Sequence, residues 1–219
     1  MGQKPAISGT LPGVRAIGPE PVVRRNPLQG RSQDKVDRIL AVTATLADTV
    51  PLESITMAQI AEAAGASFSS IYRFFPSKEA IFEAVAMASL TRLQTQYEAY
   101  FTGPIKEEPG EIIDRAIDIY VDFAATEPGF RAMWIDGLGT AEFASLSQRV
   151  PNSAITMARA YAIGTLGYPE IPELDLRLAI AATAATQILR FAFEDNGYAR
   201  DEVIAELKRW LKAALLMLG

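Results

Sequence analysis

A chain of 219 residues, 49% apolar and 21% charged, can form one globular domain or two small ones and can bury a sizeable core. It contains no Cys and no His, which excludes disulfides, thiol nucleophiles and thiolate metal sites and removes the commonest general base, so no catalytic residues, metal site or cofactor are expected. The net charge of −5 argues against nucleic acid, yet residues 1–80 carry nine Lys/Arg against seven Asp/Glu and the remainder twelve against nineteen, as in a DNA reader joined to a domain with another task.

Residues 1–30 are rich in Pro and Gly, lack a periodic apolar face and are expected to be extended or disordered. No secretory signal is read there. Arg24, Arg25 and Arg31 cluster at the end of this arm, either as a solvated basic linker or as a contact to DNA beside the main site.

Periodicity of 3.6 residues dominates the rest and predicts an all-α protein of about nine helices. Helix 1 is expected over about Ser32 to Thr49, with Val36, Ile39, Leu40, Thr43 and Leu46 on one face. Helix 2 starts at Thr56, where Thr56 and Gln59 form a capping box, and stops at Gly65. Ser67 caps a short third helix that Pro76 ends, and Ser77 caps a long fourth helix with Ile81, Phe82, Val85, Leu93 and Tyr97 inward. Further helices follow over about Glu111 to Thr126, after Pro128-Gly129 as far as Gly137, and from about Thr140 to Leu166 with a kink or break at Pro151. The last two span about Glu173 to Glu194 and Arg200 to Leu218. The apolar run from Ala179 to Phe193 is interrupted by Gln187 and Arg190 and reads as too short for a bilayer, so a cytoplasmic protein without a membrane partner is expected.

The segment TMAQIAEAAGASFSSIYRFFPSKEAIF carries the function. Ala61 is small where two helices must cross closely, Gly65 permits a sharp turn, and Ile60, Ala64, Ile71 and Phe74 supply a shared core. This is a helix-turn-helix spanning roughly Thr56 to Phe75, whose second helix enters the major groove. Ser67, Ser69, Ser70 and Arg73 are placed on or beside its outward face, and Arg73 can read a guanine or bind a phosphate. Phe68 either contacts thymine methyls or folds back onto helix 1.

These residues resemble the TetR family of bacterial regulators. The match runs through Thr56, Ile60-Ala61, Ala64-Gly65, Ser67, Ile71-Tyr72, Phe75, Pro76-Ser77-Lys78-Glu79 and Ile81. It is close over residues 32–85, with Ala66, Phe68 and Ser69 departing from the usual pattern. The resemblance implies a DNA-binding domain over 31–77 and a regulatory and dimerisation domain over 78–219. It further implies phosphate contacts from Thr56, Tyr72 and Lys78, and an effector pocket among helices 4 to 8. Candidate lining is Tyr120, Phe123, Phe130, Met133, Trp134, Asp136, Phe143, Met157, Tyr161 and Gln187, which suits a mostly apolar small molecule.

Helices 8 and 9 carry more apolar surface than one neighbour covers. Ile180, Ala184, Ile188 and Phe191, with Val203, Leu207, Trp210, Leu211 and Leu215, are read as a homodimer interface forming a four-helix bundle. A dimer meets a two-fold operator in double-stranded DNA. The function implied is a repressor released by its effector; the alternative is a helical carrier or enzyme that retained the head. Asp114, Asp118 and Asp122, spaced four apart, read as a solvated acidic face rather than as catalytic carboxylates.

Overall fold

Apolar residues recur at three- and four-residue spacing through most of the chain, and helices form where this stripe can be buried. The computed structural model describes residues 30–101, 107–135, 137, 149–164 and 167–216. Within these, α1 is Gly30–Ala47, α2 Met57–Ala64, α3 Phe68–Phe74, α4 Lys78–Phe101 and α5 Pro109–Thr126. A one-turn π-helical segment, α6, covers Arg131–Ile135, followed by α7 (Arg149–Gly164), α8 (Pro172–Phe193) and α9 (Arg200–Leu216). The all-α expectation holds among the described residues. Helix ends differ by a few residues, and Pro151 falls in the first turn of α7, where its missing N–H costs no helical bond.

Two buried clusters organise the molecule. The head cluster gathers Val36 and Ile39 of α1, Ile60, Ala61 and Ala64 of α2, Ile71 and Phe74 of α3, and Ile81, Phe82 and Val85 from the first half of α4. The body cluster gathers Leu93 from the second half of α4, Ile117, Tyr120, Phe123 and Ala124 of α5, Leu189 and Phe193 of α8, and Ile204 and Leu207 of α9. Helix α4 therefore serves both cores.

A second seam joins head and body at the turn before α6. Gly129 has φ +71°, and a Cβ there would stand 3.0 Å from both the Cα and the carbonyl oxygen of Ala44 in α1. Its N–H donates to Asp48 Oδ1 at 2.7 Å. The backbone thus approaches α1 as closely as only glycine allows. The next turn sends Met133, with no exposed surface, into the head cluster, while Trp134 Nε1 donates to Ala86 O at 3.2 Å on α4.

The acidic face on α5 corrects the expectation of free solvation. Lys212 Nζ reaches Asp114 Oδ2 at 2.6 Å and Lys208 Nζ reaches Asp118 Oδ1 at 2.5 Å, so two carboxylates four apart meet two ammonium groups four apart on α9. The expectation for the apolar run in α8 is also revised. The helix begins at Pro172, seven residues earlier than the run counted from sequence, and its 22 residues are long and apolar enough to cross a membrane by length and composition alone. Only 22% of its most apolar window is buried, and Leu176, Ile180, Thr183, Gln187 and Phe191 lie exposed along one side.

The Gly129 seam is testable. Gly129→Ala should cost about 1–3 kcal/mol from the left-handed backbone alone, with the Ala44 contact adding to it. Gly197, at φ +80° with open space around its Cβ position, supplies the backbone-only control. Urea midpoints should fall further for the Gly129 variant than for Gly197→Ala, at an unchanged slope.

Candidate nucleic-acid interface

Helix α2 has eight residues and α3 seven, so their ends matter as much as their middles. Thr56 Oγ1 accepts from Gln59 N at 3.3 Å, and Gln59 Oε1 accepts from Thr56 N at 2.8 Å, completing the capping box. At the other end Gly65 adopts φ 58°, ψ 37°. Its N–H donates to Glu62 O and the Ala66 N–H to Ala61 O, both at 3.0 Å, the pair of bonds that ends a helix on a left-handed residue. The chain reverses into Ser67, whose Oγ accepts from Ser70 N at 3.3 Å and starts α3.

With Ile71 and Phe74 buried against Ile60, Ala61 and Ala64, the other face of α3 must look outward. It presents Phe68, 49% exposed, with Ser69, Tyr72 and Arg73 also exposed and Ser70 half-buried. Phe68 does not fold onto α1. Its ring lies 5.0 Å from that of Tyr72, and the Arg73 guanidinium sits 4.9 Å from the Phe74 ring.

Two residues carried over as phosphate ligands have other commitments. Thr56 directs both its hydroxyl and its N–H at Gln59 Oε1, which leaves the N–H groups of Met57 and Ala58 as the donors of the first turn. Lys78, expected as a phosphate point charge, instead donates to the carbonyls of Glu53 at 2.9 Å, Ile55 at 2.8 Å and Leu52 at 3.4 Å. An ammonium has three donors, and all three are directed at the turn between α1 and α2. These carbonyls belong to the 3₁₀ turn Leu52–Ser54 and to Ile55, some 25 residues before Lys78 in the chain, beyond the reach of a local sequence pattern. Arg24 and Arg25 lie outside the described residues, and Arg31 is placed only as the second residue of α1.

The expected dimer residues divide. Ile180 (57% exposed), Phe191 and Trp210 face solvent, while Ala184, Ile188, Val203 and Leu211 are half-buried. Leu207 is withdrawn from the interface: at 1% exposure it belongs to the body core beneath α5. Leu215 falls at the end of α9, where side chains are not described. Exposed Leu176, Thr183 and Gln187 continue the Ile180–Phe191 stripe along α8 and were missed as interface candidates because two of them are polar.

The expected effector lining also divides. Tyr120, Phe123 and Phe130 meet edge to face, with ring centroids 5.1–5.7 Å apart, and Trp134 lies 6.3 Å from Phe130. The line of rings continues through Tyr97, whose phenol donates to Ala116 O at 2.9 Å, and Phe101 to Tyr161 on α7. Burial holds the Tyr120 hydroxyl up at about 12 against the opposing charge of Arg190, and burial raises that of Tyr97. Two expectations are corrected. Met133 is turned into the head by the π-helical segment, and Gln187 lies on the exposed stripe of α8. Asp136 and Phe143 are outside the described residues, as is the side chain of Met157.

Comparison with known proteins follows this division. Residues 39–85 match the family of bacterial regulatory proteins designated tetR, and residues 107–218 match a tetracyclin repressor-like C-terminal domain. The regulator EthR of Mycolicibacterium smegmatis is 24% identical over 196 residues, 86% of this chain and 90% of its own length. The nucleoid occlusion factor SlmA of Mannheimia succiniciproducens is 27% identical over 139 residues, and the match spans 62% of each chain. Among solved structures, a TetR-family regulator from Streptomyces coelicolor superposes with a TM-score of 0.66 at 23% identity, covering 84% of this chain and 99% of that one.

Lys78→Met should take this donor from the Glu53 and Ile55 carbonyls and cost roughly 1–3 kcal/mol of stability. Thermal or urea unfolding of the full chain measures it. An unchanged midpoint would free the ammonium for DNA.

Proposed function

The chain belongs to the TetR family of bacterial regulatory proteins, and from that premise we propose that it is a homodimeric repressor that reads a two-fold DNA operator through α3 and leaves it when a mostly apolar small molecule binds the body. One observation carries the reading. The buried side of α3 is consumed by the head core, and Phe68, Ser69, Tyr72 and Arg73 stand clear on the opposite side, where a major groove can receive them. Tyr72 brings its phenol to a phosphate, the first-turn N–H groups of α2 bind another, and Ser69 and Arg73 face base edges. Lys78 contributes by fixing the start of α4, with its charge nearby.

Dimerisation follows from the uncovered apolar stripe on α8 and from Trp210 on α9. Paired across a two-fold axis, the two helices from each subunit form a four-helix bundle and hold the heads about 34 Å apart, or a multiple, to meet successive grooves. Ile180, Ala184, Ile188, Phe191, Val203, Trp210 and Leu211 remain the proposed contact set, joined by Leu176 and Gln187.

The effector site is placed among Tyr120, Phe123, Phe130, Trp134 and Tyr161, beside Tyr97 and Phe101. Its aromatic lining favours an apolar guest, with tyrosine hydroxyls to orient it. Helix α4 and the Gly129 seam connect this interior to the head, so a guest that displaces α4 alters the distance between the two heads. A hundredfold loss of DNA affinity requires about 2.7 kcal/mol of coupling.

Selection of bound sequences from random duplex DNA by the purified protein tests the proposal; a two-fold operator is expected, and failure to enrich any sequence would refute it. On that operator, Tyr72→Ala should weaken binding by roughly 1 kcal/mol per half-site. Ile180→Asp should turn the dimer into monomers in sedimentation and abolish tight operator binding.

A further inference from the structure

Phe68 is an anomaly for a fold that buries its other head phenylalanines. It occupies the first position of α3, half exposed, outside the buried head cluster that holds Phe74, Phe75 and Phe82. The Ser67 cap fixes its backbone, and the Tyr72 ring one turn later backs its side chain at 5.0 Å. The two rings form one outward surface, and its Phe68 end has no polar atom. A ring already held by a cap and a neighbour loses little conformational freedom on contact.

We propose that Phe68 packs against the C5-methyl of a thymine in each operator half-site and is a specificity-determining residue of this protein. The inference rests on the reading of α3 as the groove-bound helix. The major-groove edges of the bases carry donors and acceptors, and the thymine methyl is their apolar group. A phenyl ring pressed on guanine or cytosine would strip water from O6, N7 or N4 and return no hydrogen bond. Pressed on a methyl, it removes apolar surface from water on both partners. Position favours the contact as well, since residues in the N-terminal part of a recognition helix are those that reach base edges.

The test uses the full-length dimer and the operator recovered by selection. Each thymine of the half-site is replaced in turn by deoxyuridine, which lacks only the methyl. One position per half-site should lose about fourfold in affinity, the factor matching ~0.8 kcal/mol for one buried methyl-sized group, and about fifteenfold when both halves are changed. Phe68→Ala should bind thymine and uracil operators equally, while Phe68→Leu, which keeps an apolar tip, should retain the preference. Because Phe68 lies outside the core, both variants should keep the native melting temperature. An operator insensitive to uracil at every position, or a sensitivity that survives Phe68→Ala, would overturn the proposal and leave DNA recognition by α3 standing. If no operator is enriched, recognition by α3 falls and the thymine contact with it.

Discussion

Helices as short as α2 and α3 are unstable in isolation. What holds them is the interlock of Ile60, Ala61 and Ala64 with Ile71 and Phe74 across the left-handed turn at Gly65. A side chain at that turn would strain the backbone, and a larger residue at Ala61 would push the helices apart. Every outward-facing group on α3 owes its direction to this contact. Steric exclusion inside the head therefore determines which atoms are offered outside it.

The second organising constraint is continuity between head and body. Helix α4 contributes Ile81, Phe82 and Val85 to one core and Leu93 to the other, so it cannot shift without disturbing both. The close approach of Gly129 to Ala44 and the Trp134 hydrogen bonds to Ala86 and Ser89 brace it from the side. Packed interiors respond to displacement by changing between discrete arrangements rather than by bending smoothly. A shift among the rings of α5 and α6 would reach the head through α4, which is packed into both cores.

The head was legible because local rules govern it. The capping box at Thr56, the turn at Gly65, the cap at Ser67 and the inward pattern of Ile71 and Phe74 all depend on residues within a few positions of one another. The errors arose where partners are distant. Lys78 reads as a free cation until its carbonyls at Leu52, Glu53 and Ile55 are seen, and Asp114 and Asp118 read as solvated until α9 brings Lys212 and Lys208 beside them. Leu207 and Trp210 are three apart on the same apolar helix, and only tertiary packing decides that one is core and the other surface. Met133 differs for another reason: it stands on a π-helical turn, which advances side chains by a different angle from an α-helix.

Met133 carries a consequence for how the molecule is built. A side chain from the body completes the interior of the reading head, so the head is not a detachable module. Cut away at the start of α4, it would lose both α4 and this plug and be left with a hole lined by apolar groups. A different body joined to this head would have to fill the space of Met133 or leave a cavity there, which sets a volume that any such graft has to match.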